Sequence, residues 1–432
     1  MGHPLPHHRE GELVVPSSDA SSLDPEIRSF LENFSIESPL WHERFHEINA
    51  GLRSHCPYLH SERGDFWVLS RYQDVAAVAR DWKRFSNDQI GGSFYSPQDR
   101  PHMRPTETDP PYQRHLRHLL DPYFMTKRVG LLEPSIRARA NALIDGFVED
   151  GGCDASVAYA HPLPMETFFL RILNIAVEDL PEVAGYVHDA VLTPDPETAK
   201  SGFAALAKWC HDTLERRRLE GTRKDDLIDA ILYGELDGRK LEREEQVWIL
   251  LPLTIGGLDT SASVLSFGIE YLASHGDLQV ALRSNRGMIE GAVEEFLRLG
   301  APAPAVRTAL EAATVGGMEI QPGQKVMVSI PGANRDASQF PDPDTLELDR
   351  EVRGNKHLTF GTGLHRCIGS NLARLTIRVG IEVLLERLVD IRIAPGEHAV
   401  YSGTALRSCR ALAIQFGSAE ARATGRTVYS TG

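Results

Sequence analysis

The chain has 432 residues, 42% of them hydrophobic and 25% charged, with a formal net charge of -14. That mix suits an ordinary globular protein with ample chain for a large core, and it excludes collagen-like, coiled-coil and wholly disordered readings. The acidic balance argues against a nucleic-acid binder that works through a broadly basic surface.

The first 22 residues carry no apolar h-region of the signal-peptide kind. They and the tail 420–432 are small and polar, so both ends are expected to be mobile. Between them, 23–419 reads as one large domain, mainly α with small β-sheets. Phe66–Leu69 has the strand pattern. A helix start is marked by Pro110 and Pro111. Apolar residues at i, i+3, i+4 spacing predict helices over 127–150, 203–220, 242–274, 287–299 and 368–388. Short β-branched runs predict strands at 305–310, 314–320, 325–330 and 411–416. The longest apolar stretch, near Val247–Ile255, contains Pro252 and Thr254 and is too short to cross a bilayer, so no membrane association is expected. The five cysteines, Cys56, Cys153, Cys210, Cys367 and Cys409, are scattered and form no CxxC pair. Neither a disulfide scaffold nor a zinc ribbon follows from them, and a reducing, cytoplasmic setting fits.

Around Cys367 the chain reads HLTFGTGLHRCIGSNLARL, which spaces Phe360, Gly363, His365, Cys367 and Gly369 as F-x-x-G-x-H-x-C-x-G. Glycines permit tight turns and close approach to a flat ligand. A cysteine just ahead of a helix start gains from the helix dipole and its free N–H groups. His365 and Arg366 add positive charge beside it. Such a cysteine suits the role of anion and ligand. The alternatives are a structural cysteine in a glycine-rich turn, or a zinc site that would need further ligands.

The long helix contains LLPLTIGGLDTSAS. Two glycines inside a helix, Gly256 and Gly257, cost roughly 1 kcal/mol each relative to alanine. Close passage over a flat cofactor would account for them, as would a close helix neighbour. Asp259 and Thr260 are polar residues in an otherwise apolar run. Pro252 removes an N–H and predicts a kink or local unwinding. Pro252, Ile255, Gly256 and Thr260 share one helical face. Glu295 and Arg298 stand i, i+3 on the next helix, within pairing distance.

Taken together, these motifs resemble the cytochrome P450 family, soluble bacterial type, and are similar to its camphor hydroxylase group. The resemblance runs in family order from Phe66 to the C-terminus and implies the cytochrome P450 fold. It implies haem b with Cys367 as the axial thiolate ligand of iron, O2 as co-substrate, and electrons drawn indirectly from NAD(P)H. Asp259 and Thr260 match the acid–alcohol pair that serves oxygen and relays protons. His365, Arg117, Gln113 and Arg307 match haem-propionate positions. Phe360, Gly363, Gly369 and Gly256 match the cofactor cradle. Glu295, Arg298 and, as the best match downstream, Arg350 correspond to a structural ion-pair core. The expected substrate contacts are Pro252, Ile255, Ala303, Val306, Thr404 and Tyr95, the last on a variable loop, 89–105. They are mostly apolar, so the implied substrate is a small to medium hydrophobic molecule, terpenoid-like by this group's habit.

The implied activity is monooxygenation by a monomer. A separate ferredoxin or flavodoxin-like donor with its reductase would dock on Arg114, Arg117, His118 and Arg366. Two rivals share the fold: a haem–thiolate sensor or binding protein without turnover, and a peroxide-using or dehydrating enzyme. The acid–alcohol pair speaks against both.

Overall fold

The computed structural model describes residues 23–36, 38–61, 66–88, 101–350 and 356–419. Both chain ends and most of the variable loop, including Tyr95, lie outside these residues. Helices dominate, and the sheets are small, as the periodicity predicts.

The main helical layer has the run Arg243–Ser274 at its centre. The Asp259–Ser274 part packs against the helix Ser370–Arg387, against Ile289–Leu299 and against the segment Pro162–Thr167. The helix after the cysteine loop packs in turn on Glu133–Asp145. One core of Leu, Ile, Val and Phe side chains runs through this layer. A second core lies under the five-stranded sheet, and a third joins the N-terminal helices to that sheet.

The sheet runs in the order Tyr58–Ser61, Phe66–Leu69, Lys325–Val328, Ala305–Ala309, Phe85–Ser86. Lys325–Val328 pairs parallel with Phe66–Leu69, Val326 opposite Trp67, and antiparallel with Ala305–Ala309, Val326 opposite Arg307. This register presents Arg307 from a central strand. A three-stranded sheet joins Leu388–Ile393, Ala413–Ser418 and Gly152–Asp154. The hairpin Val400–Gly403/Arg407–Ala411 lies against the Asp259–Ser274 helix.

Several boundaries differ from the sequence reading. The 127–150 pattern is divided into Thr126–Gly130, Glu133–Asp145 with Pro134 in its first turn, and a short 3-10 turn at Val148–Asp150. The 203–220 helix begins earlier, at Pro196, because Asp195 caps it by accepting the Thr198 N–H. The run 314–320 is a hairpin folded at Gly316–Gly317, both with positive φ.

The long helix is unwound, but not at Pro252. It stays helical through the proline and breaks at Gly257–Leu258, where the Leu258 N–H turns to the Ile255 carbonyl at 3.4 Å. Counted across that break, the run Arg243–Ser274 around Val247–Ile255 has 32 residues and is long and apolar enough for a bilayer by length and composition. Because 67% of its apolar window is buried inside the protein, it is accounted for as the core helix of this fold.

Candidate active site

The cysteine loop is built by backbone geometry. Gly363 has φ +73, and a Cβ there would sit 3.2 Å from the Arg80 Cα, so glycine is required by both conformation and packing. That close approach is to the Tyr72–Arg80 helix. The Cys367 N–H donates to the Phe360 carbonyl at 2.8 Å, closing the loop two residues ahead of Gly369, which precedes the Ser370–Arg387 helix. Phe360 is held under the Arg374 guanidinium, 4.5 Å from its ring centre. Arg374 itself pairs with Glu294 of the Ile289–Leu299 helix at 2.6 and 2.9 Å.

The Cys367 side chain is exposed. Desolvation of the sulfur by the surrounding chain pushes the thiol up. The Gly369 N–H and the charges of Arg117, Arg366 and Arg374 pull the other way without reversing the shift. Among the described residues no group of three or more His, Cys, Asp or Glu is placed to hold a metal ion, so the further ligands a zinc site would need are not found there.

Helix Tyr112–Leu120 grips the same loop. Gln113 Nε2 donates to the Leu364 carbonyl at 2.8 Å, and Arg117 Nη1 donates to the Arg366 carbonyl at 2.6 Å. Arg117 Nε also meets Asp121. The structure gives these two residues a backbone-holding task that the sequence did not suggest. His365 and Arg307 differ from them. The His365 Nε2 is buried without a hydrogen-bond partner, its nearest acid, Asp109, standing 3.6 Å away. Arg307 is buried, donates to the Val306 carbonyl, and has no ion pair with a carboxylate among the described residues. Burial pulls it down to about 10.

On the long helix, Pro252, Ile255, Gly256 and Thr260 keep accessible surface, while Leu251, Leu253, Thr254, Leu258 and Asp259 are buried. The face expected from spacing is therefore the open one. The two glycines divide the explanations between them. A Cβ on Gly256 would meet nothing within 4 Å, whereas a Cβ on Gly257 would fall 2.2 Å from Phe168 Cδ1. Gly256 borders open space; Gly257 admits a neighbouring ring. The Thr260 hydroxyl donates to the Gly256 carbonyl at 3.0 Å, across the unwound turn.

Asp259 points away from that face into a buried polar cluster. Its Oδ1 lies 3.0 Å from His161 Nε2 and accepts the Ser408 hydroxyl at 3.0 Å; its Oδ2 is buried with no partner. His161 Nδ1 faces the Ser156 carbonyl at 3.0 Å, and the Ser156 hydroxyl is already committed to the Cys409 carbonyl. With Nδ1 donating to a carbonyl, one proton is shared between Nε2 and Oδ1. Burial would raise the Asp259 carboxyl, but the His161 hydrogen bond and charge, Arg410 and Ser408 outweigh it, and the group sits below its ordinary value. Neither His161 nor Ser408 was foreseen; they lie 98 and 149 residues from Asp259, and no spacing links them.

The remaining expected contacts scatter. Ala303 is half-buried, and Val306 is buried in the central strand next to Arg307. Thr404 is buried and donates to the Val191 carbonyl at 2.7 Å, tying the C-terminal hairpin to the Leu180–Val191 helix. The structural ion-pair core is present as expected: Arg298 grips both Glu295 oxygens at 2.7 and 2.8 Å, and Arg350 reaches Glu295 at 3.2 Å.

Residues 196–389 match the family model for cytochrome P450. The chain is 31% identical to cytochrome P450 monooxygenase PikC of Streptomyces venezuelae, over 82% of this chain and 86% of that protein. It is 31% identical to the vitamin D(3) 25-hydroxylase of Pseudonocardia autotrophica, over 87% and 94%. Among solved structures, cytochrome P450 CYP109Q5 from Chondromyces apiculatus superposes with a TM-score of 0.79 at 30% identity, covering 90% of this chain and 99% of that one. The fold and loop define a haem–thiolate protein, and the chain belongs to the cytochrome P450 family. Members are oxidoreductases that use thiolate-ligated haem and O2, with electrons from NAD(P)H through redox partners.

Proposed function

We propose that this chain inserts one O2-derived oxygen atom into a small to medium hydrophobic, terpenoid-like substrate. The observation that supports this reading is the pairing of Thr260, on the open face of the helix, with its neighbour in the chain, Asp259, a buried acid hydrogen-bonded behind that face to His161 and Ser408. A sensor without turnover has no use for a proton-holding acid there.

The residues suit a bound haem. The Cys367 sulfur is reachable as a ligand. The orphaned His365 Nε2 and the carboxylate-free Arg307 are suited to propionates, and the space beside Gly256 accepts a flat ring. Bound haem supplies the oxygen activation. The chain does the rest. Thr260 presents a hydroxyl at the unwound turn. Asp259 is anchored to His161 and Ser408 at Oδ1, and its unpartnered Oδ2 is free to take up a proton and pass it on. Pro252, Ile255, Ala303 and Val306 exclude water with apolar surface. Gln113 and Arg117 keep the ligand loop in place. Arg114, Arg366 and His118 are exposed on an acidic protein and suit an acidic ferredoxin or flavodoxin-like donor. A cytoplasmic monomer is the accompanying reading.

The test is a Soret-band titration of the ferric protein with terpenoids, vitamin D3, steroids, aromatics and fatty acids. A blue shift with the terpenoids, followed by NAD(P)H-dependent hydroxylation, is expected. A shift confined to another class overturns the substrate assignment, and binding without turnover returns the sensor reading. Cys367→Ala is expected to lose the thiolate-type CO spectrum; retention of that spectrum would unseat Cys367 as ligand.

A further inference from the structure

In a helix interior each carbonyl is paired with the N–H four residues on. Pro252 has no N–H, so the Trp248 carbonyl loses its helical donor. That carbonyl is nonetheless paired: the backbone N–H of Arg104 donates to it at 2.8 Å. The donor comes from a separate strap, residues 101–111, leading into the Tyr112–Leu120 helix.

The strap is tied internally. Glu107 is buried; its carboxylate accepts the Met103 N–H at 2.8 Å while its own N–H donates to the Met103 carbonyl at 2.6 Å. Thr108 donates to the Pro105 carbonyl at 3.0 Å. At its far end Asp109 accepts the Asn87 N–H and faces His365. Just beyond, Tyr112 donates to Glu245 of the same long helix at 2.6 Å. The strap thus runs from the open-faced helix to the cysteine loop, and its backbone attachment to that helix is the bond at Trp248.

We infer that Pro252 is a positioning residue: by stripping the Trp248 carbonyl of its helical donor, it creates the acceptor that clamps the 101–111 strap and so sets one wall of the substrate chamber. Any other residue at 252 would bring an N–H into competition with Arg104 for that carbonyl. The word chamber rests on the proposed function; the clamp does not.

The test is hydrogen–deuterium exchange on the haem-loaded wild type, Pro252→Ala, Pro252→Ser and Arg104→Ala. Alanine and serine restore the N–H, and alanine favours the helix, so folding is not at risk. Exchange at the Arg104 amide is expected to quicken at least tenfold in both Pro252 variants. The Arg104 guanidinium also lies over the Tyr112 ring, 5.8 Å from its centre; Arg104→Ala removes that contact but keeps the N–H, and is expected to stay as protected as wild type. In stopped flow, 4-phenylimidazole is expected to bind and leave the haem several-fold faster in Pro252→Ala. Unchanged protection at Arg104 would overturn the clamp. Faster exchange with unchanged 4-phenylimidazole rates would overturn the wall. A wild-type Soret band indifferent to 4-phenylimidazole would count against the haem-chamber reading instead, with the exchange result still deciding the clamp.

Discussion

Single residues on the long helix separate packing from function. At Gly257 an added methyl collides with Phe168, so Gly257→Ala is expected to cost about 1–3 kcal/mol in thermal or urea unfolding. At Gly256 the same methyl meets no protein, and the helix gains about 1 kcal/mol in propensity. Gly256→Ala is therefore expected to hold or raise stability while perturbing the haem Soret band or substrate-induced shift; equal destabilisation by both variants would refute the division of roles. His161→Phe leaves Asp259 Oδ1 with Ser408 alone and strands a buried carboxylate. It is expected to cost about 1–3 kcal/mol of stability. Turnover is expected to fall, with more reducing equivalents lost as peroxide, because Asp259 loses the partner that shares its proton. His161→Gln, which keeps a donor, should restore the stability but not the proton.

At the scale of elements, charged clamps fix the Ile289–Leu299 helix against the cysteine loop and the helix beyond it. Glu294 is largely but not fully buried and is paired with Arg374 and His357. Burial would raise its carboxyl, but these partners hold it down at about 2 against an ordinary 4.5. A depressed carboxyl contributes stability above its unfolded value and loses it as pH falls through the folded one. The Glu294 contribution, about 3 kcal/mol, is thus expected to fade between about pH 4.5 and 2, and Glu294→Gln should flatten the acid limb of the stability curve. The neighbouring core of Glu295, Arg298 and Arg350 is also buried. Removing one member leaves an uncompensated charge, so Arg350→Met is expected to cost about 3–5 kcal/mol and haem retention with it. A loss under 1 kcal/mol in equilibrium unfolding would show the third arginine to be dispensable.

Across the whole molecule, a net charge of -14 contrasts with the exposed Arg114 and His118, on the helix whose Arg117 holds the cysteine loop, and with the exposed Arg366 of that loop. Acidic donors are steered to such charges at low salt. Arg114→Glu with Arg366→Glu is expected to slow reduction by an acidic ferredoxin tenfold or more at low ionic strength, with the difference shrinking as salt rises. Reduction that stays fast would move the docking surface elsewhere.

The local pattern alone determined a good deal. The turn character of the cysteine loop and the open face of Pro252, Ile255, Gly256 and Thr260 follow from spacing, because loop glycines and helix periodicity are short-range properties; the roles of Cys367 and of the Asp259–Thr260 pair rest on the family resemblance. The helical character of 203–220, 242–274, 287–299 and 368–388 follows for the same reason. Tertiary structure decided the rest. His161 and Ser408 meet Asp259 only because a three-dimensional fold brings distant segments together. Gln113 and Arg117 turned out to hold loop carbonyls, since the Tyr112–Leu120 helix passes close to that backbone. The unwinding fell at Gly257–Leu258 rather than at Pro252. A missing N–H can be tolerated when a strap from elsewhere satisfies the freed carbonyl, and no local rule supplies that partner.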